Sequence, residues 1–121
     1  MAKIYDIQID QGATFRRTLE LQDAEGEPYA LTGATAKAQI RETYSSDEVI
    51  AEFEIQIDEP AGKITFSMEP EDTAAIDVPA AKDHRRPSKF FIYDLELTEA
   101  DGTVTRLIQG TVEVSPEATR E

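Results

Sequence analysis

The sequence predicts an all-β protein: an antiparallel β-sandwich of immunoglobulin-like type, with about seven strands and one short helical turn. Three observations carry that expectation. Val49, Ala51, Phe53, Ile55 and Ile57 alternate with Glu52, Glu54, Gln56 and Asp58, the period of two that belongs to a strand wet on one face. Phe90–Val114 reads as two extended arms around Glu99-Ala100-Asp101-Gly102, where Asp and Gly tolerate positive φ and let the chain reverse. Turn residues recur at fairly regular spacing, and only Glu69–Ile76 looks helical. A small barrel is the alternative architecture.

Taken in order, Tyr5, Ile7 and Ile9 alternate with Asp6, Gln8 and Asp10 as a first strand, which Gln11-Gly12 breaks. Phe15, Leu19 and Leu21 form the apolar face of a second strand, with Arg17 standing on the same parity. Gln22–Pro28 is a polar reversal whose proline does not suit a central ladder. Ala34, Ala36, Ala38 and Ile40 then give a strand with small inward residues, and Thr43–Glu48 is a loop. The Val49–Ile57 strand turns at Pro60-Ala61-Gly62 into Ile64, Phe66 and Met68, a second hairpin. In the helical turn, Pro70 suits a first helical position and Glu71 and Asp72 match the positive end of the helix dipole.

The final hairpin is the strongest element. Phe91, Tyr93, Leu95 and Leu97 share one face of its first arm; Val104, Ile108, Gly110, Val112 and Val114 share one face of the second. Arg106 and Leu107 break that alternation, which predicts a bulge or a second, partly covered face. Leu19-Glu20-Leu21 with Gly26 echoes Leu95-Glu96-Leu97 with Gly102, two solutions to one hairpin problem.

A chain of 121 residues fits one domain, 1–121, and buries enough surface for a core without staples. The absence of cysteine excludes disulfides, thiolate catalysis and Cys-type zinc sites, and suits a reducing cytosol. The N-terminus has no apolar core of signal-peptide length, and no apolar run approaches a membrane span. With 25 acidic and 12 basic residues the formal charge is −13, so the surface repels phosphate backbones and general nucleic-acid binding is disfavoured.

Few residues invite chemistry. Pro79–Lys89, PAAKDHRRPSK, gathers Lys82, Arg85, Arg86 and Lys89, four of the twelve basic residues, in an otherwise acidic chain. Such a stretch either is a solvated loop or contacts the acidic face of a neighbour, where charge guides encounter and orientation; these four are the candidate partner-binding residues. His84 is the sole histidine and reads as solvated, since neither a triad nor a zinc site can be assembled around it. The acidic clusters Asp23-Glu25-Glu27, Asp47-Glu48, Asp58-Glu59 and Glu69-Glu71-Asp72 lack the spacing of a calcium loop. No metal site, cofactor or catalytic residue is expected, and no nucleophile elbow, P-loop or dinucleotide fingerprint occurs. Phe15, Phe53, Phe66, Phe91 and Tyr93 belong to the core, while Tyr5 and Tyr29 are candidate contact residues nearer the edges.

Leu31-Thr32-Gly33-Ala34 running to Ile40-Arg41, Tyr93–Leu97, Asp101–Leu107 and Gly110–Val114, closing with Pro116 and Thr119-Arg120, resemble small tailed-bacteriophage proteins encoded among tail and baseplate genes. The pattern is similar to the immunoglobulin-like N-terminal domain of phage upper-baseplate proteins and spans nearly the whole chain. What the resemblance implies is a non-enzymatic structural component of the virion, in the baseplate or at a tail-fibre attachment, assembled in the host cytoplasm. Its partners would be other virion proteins and symmetric copies of itself, with no nucleic acid and no membrane. Residues 1–10 and 115–121 are candidate assembly arms, ordered on contact. Three alternatives stand beside this reading: a capsid decoration or cement protein, a carbohydrate-binding module, and a small acidic host-directed inhibitor. The lack of tryptophan weighs against the carbohydrate reading.

Overall fold

A computed structural model describes residues 2–76, 78 and 89–116, and two facing sheets make up its body. The elements are β1 (Lys3–Ile4), β2 (Ile7–Asp10), β3 (Phe15–Glu20), β4 (Thr35–Arg41), β5 (Ala51–Glu52), β6 (Glu54–Asp58), β7 (Lys63–Met68), α1 (Pro70–Ala74), β8 (Lys89–Thr98) and β9 (Val104–Ser115). One sheet orders β1-β9-β8-β4-β5, with β2 also on β9; the other orders β3-β7-β6. The β-sandwich read from the alternation is therefore present.

The β8–β9 hairpin forms as expected and carries its bulge where Arg106 and Leu107 interrupt the pattern. Leu95 pairs with Ile108 and Glu96 with Arg106, so Leu107 has no partner of its own. The extra residue reverses parity for everything nearer the turn. Val104, expected on the inner face, consequently pairs with Thr98 and stands 58% exposed. Ile108, Val112 and Val114, beyond the bulge, are buried as the pattern requires.

Two assignments change. The sandwich is antiparallel except at the first strand, where β1 and β2 run parallel to β9, in the same register on both sides of a break at Tyr5-Asp6. Residues 3–10 are thus part of the sheet, with Ile7 and Ile9 in the core. The Val49–Ile57 strand is really two. Ala51-Glu52 pairs with β4 in one sheet and Glu54–Asp58 with β7 in the other, so the chain changes sheets at Phe53. An alternating pattern reports a strand's faces but not which sheet supplies its hydrogen bonds.

The turns at Asp23–Glu27 and Glu99–Thr103 share one pattern, which accounts for the sequence echo. Asp23 N donates to Glu27 O and Gly26 N to Asp23 O; Glu99 N donates to Thr103 O and Gly102 N to Glu99 O. Gly26 and Gly102 have φ of 81° and 91°, the left-handed region that a three-residue hairpin loop with a terminal bulge requires.

Inside, Phe15, Phe53, Phe66 and Tyr93 form one ring cluster between the sheets, with centroids 5.3–6.3 Å apart. In a sandwich without cysteine these rings hold the two sheets together. Helix α1 begins with Pro70 at its start, as expected, and its buried Thr73 side chain fastens it to the β2–β3 turn, with Gln11 Nε2 donating to Ile76 O at 2.6 Å just past its end. Thr73 Oγ1 accepts from Gly12 N at 3.0 Å and lies 2.9 Å from Ala13 O and 3.0 Å from Pro70 O, either of which can take its proton.

Candidate assembly surface

The outer face of the larger sheet presents mixed charge in rows set by strand register. Arg106, Glu96 and Lys37 stand abreast on β9, β8 and β4; Gln109, Asp94, Gln39 and Glu52 form the next row. Arg106 Nε lies 3.4 Å from Asp94 Oδ2, Arg41 Nη2 donates to Gln39 Oε1 at 3.0 Å, and Gln39 Nε2 donates to Glu52 Oε2 at 3.4 Å. A shallow depression of about 260 Å³ lies over Lys37, Gln39, Arg41, Asp94 and Glu96. Opposite signs alternate here, so the face satisfies its own charges, each exposed pair contributing little. It has the chemistry of a solvated or polar contact face.

The acids concentrate at one end. Gly62 packs against Leu21 O and Tyr29 N, Gly33 against Ala100, and the Tyr29 hydroxyl donates to Glu99 Oε1 at 2.6 Å. These contacts gather the turns bearing Asp23, Glu25, Glu27, Glu59, Glu99 and Asp101 into one pole. Thr103 N, donating to Asp101 Oδ1 at 2.9 Å, holds the Asp101 carboxyl below its ordinary value. The hydrogen bond to Glu99, followed by that carboxylate's charge, raises the Tyr29 phenol.

Of the four candidate contact residues, Lys82, Arg85 and Arg86 lie outside the described residues, as does His84. Lys89 opens β8 at the end opposite the acidic pole and already has partners: Nζ is 3.0 Å from Glu42 Oε1 and 5.1 Å from the Phe91 ring centroid. Of the two tyrosines expected as contacts, Tyr5 is 39% exposed, whereas Tyr29 spends its hydroxyl on Glu99. Among the described residues, no group of three metal-ligating side chains converges, and no buried polar side-chain atom lacks a hydrogen-bond partner. No helix there is long and apolar enough to cross a membrane.

Sequence reasoning missed the node that seats the first strand. The Tyr93 hydroxyl donates to Tyr5 O, Tyr5 N donates to Gln109 O at 2.8 Å, and Asp6 Oδ1 accepts Thr111 N at 2.9 Å. These bonds bridge the break between β1 and β2. Tyr93 read only as an aromatic core residue, and nothing in the spacing marks its oxygen as a tie. Burial pushes this phenol far above its ordinary value. A raised pKa favours the neutral folded form, so the stabilisation is complete below about pH 10 and is lost as pH rises through the folded value. Urea unfolding midpoints should therefore fall above about pH 10, and Tyr93→Phe should flatten that alkaline limb. Phenolate absorbance at 295 nm should show Tyr93 ionising only with unfolding; ionisation in the folded protein would refute this.

A family model described as "LtfC-like, beta-sandwich domain" matches residues 2–115. Solved structures of low identity align with the chain. CopC from Methylosinus trichosporium OB3b does so at 15% identity and TM-score 0.43, over 100% of this chain and 91% of that one. The SrpA adhesin from Streptococcus sanguinis (R347E mutant) does so at 16% identity and TM-score 0.47, over 92% of this chain and 55% of that one. No curated protein matches the sequence.

Proposed function

The chain belongs to the LtfC-like β-sandwich family, and on that premise we propose that it is a structural protein of a tailed-phage virion that acts by assembly. LtfC is a phage tail-fibre protein, and the family match over residues 2–115 is the observation that carries the reading. Within the tail, the baseplate or a tail-fibre attachment is the position we infer, with other virion proteins and symmetric copies of the chain as partners and the host cytoplasm as the place of assembly. A non-enzymatic role fits the buried hydroxyls of Tyr93 and Thr73, which are spent on backbone carbonyls of the fold.

Charge supplies the orientation. Lys82, Arg85 and Arg86 precede Lys89, which opens β8 at the end opposite the acidic turns. The basic stretch of one copy thus suits the acidic pole of the next, a contact that steers docking and weakens with salt. Antibody labelling of purified particles tests the placement: signal on tails is expected, signal on heads would make this a capsid decoration protein, and absence from particles would overturn a virion role. Light scattering across a salt series tests the mechanism. A symmetric oligomer that loosens between low salt and about 0.5 M, and that Arg85→Glu with Arg86→Glu reduces in size, is expected. A monomer at every salt concentration would count against self-assembly.

A further inference from the structure

Among the described residues, strand β3 is an edge of its sheet, which orders β3-β7-β6, while the strands preceding it pair with β9 in the other sheet. Leu21 N donates to Gly62 O at 2.8 Å, which fixes the parity that faces β7. In an antiparallel ladder alternate residues aim both backbone groups at the same neighbour. Arg16, Thr18 and Glu20 therefore direct their N–H and C=O groups away from β7, towards the open edge. An edge of this kind is a template for another strand.

We propose that the β3 edge is a two-fold self-pairing site, at which β3 of a second copy adds antiparallel with Thr18 on the axis. About Thr18 the strand is self-complementary in charge: Arg16 of each copy faces Glu20 of the other, on the outer face of the joined sheet. The parity is right as well, since the three residues whose backbone groups point to the open edge are the ones brought opposite one another. An isologous contact of this type closes on itself as a dimer. The other edges do not offer the same match. Pairing β6 with itself about Gln56 sets Glu54 against Asp58, like charges that repel; β5 has only two residues, and the β1–β2 edge is broken at Tyr5-Asp6.

Arg17 sets the strength of the contact. Although it stands on the apolar parity it is exposed, with its guanidinium 4.8 Å from the Phe15 ring centroid and Nη1 donating to Arg16 O at 2.8 Å. That bond occupies one of the acceptors an incoming strand needs. A charged side chain spent in this way restrains edge pairing, so Arg17→Thr should strengthen the dimer.

The chain has no cysteine, which makes a disulfide trap clean. Thr18→Cys should form a covalent dimer under mild oxidation at least about tenfold faster than Gln56→Cys, an outward position on β6 of the same sheet, because paired residues across a two-fold lie within disulfide reach. Adding Arg16→Glu or Glu20→Arg should each slow trapping about tenfold, two symmetry-related pairs being reversed at once, and combining them should restore it. Circular dichroism confirms that each variant is folded. Equal rates for the two cysteines, or no rescue by the combined reversal, would overturn the proposal. The assay uses the purified chain alone, so its failure leaves the virion reading standing, and particle labelling can fail while the dimer forms.

Discussion

Gly110→Val is expected to cost about 3–5 kcal/mol and to lower the unfolding midpoint by about 10 °C or more. Gly110 is not one of the positive-φ glycines, so backbone freedom is not its purpose. Space is. A Cβ there would sit 2.6 Å from Tyr5 O and 2.7 Å from Asp6 Oδ1. Both atoms belong to the break that seats the first strand, and both are hydrogen-bonded, to the Tyr93 hydroxyl and Thr111 N respectively. A branched side chain must push the Tyr5-Asp6 segment off β9, losing those bonds and loosening Ile7 and Ile9 beneath. Gly26→Ala is the comparison: φ is 81° but nothing lies within 4 Å of the new carbon, so only backbone strain of about 1–2 kcal/mol remains. Scanning calorimetry separates the two; equal losses would show that crowding at Gly110 is unimportant.

Phe66→Ala should be as damaging, at about 3–5 kcal/mol. Phe66 is fully buried and lies within 5.8 Å of Phe15, 5.3 Å of Phe53 and 6.3 Å of Tyr93, centroid to centroid. It therefore touches rings from both sheets, and the void left by its removal opens where no cross-link holds them together. Phe90→Ala, at a position 60% exposed one residue before the core face of β8, should cost less than about 0.5 kcal/mol. Denaturant titration of both variants gives the contrast. A similar midpoint for the two would mean that the ring cluster is not the centre of the core.

Local pattern recovered most of the fold because sheet faces and tight turns are local. Phe91 to Leu97, Ile64 to Met68, the Pro70 helix start and the reversals at Gly26, Gly62 and Gly102 all follow from spacings of a few residues. The departures are non-local. Parallel pairing of Ile7–Asp10 with Val112–Ser115 joins opposite ends of the chain, and alternation along either strand is the same for parallel and antiparallel neighbours. The sheet change at Phe53 and the parity reversal at Val104 depend on what lies across the ladder. The candidate contact residues were legible as composition, in four basic residues among acids, but not as geometry. The β3 edge follows from the order β3-β7-β6, which strand alternation alone does not determine. Arg17 on an apolar parity was the one local sign of it.

Parallel pairing of β1 and β2 with β9 also fixes how the sandwich bears load. Lys3 lies beside Ile108, and the last bonded residue of β9 is Ser115, roughly 23 Å further along. Tension applied between those two points draws β1–β2 and β9 past each other along their length. Every bond from Tyr5 N to Gln11 N is then strained at once, instead of parting one after another like a zip. A strand pair loaded in this way resists tension better than one peeled from its end, with the same set of hydrogen bonds.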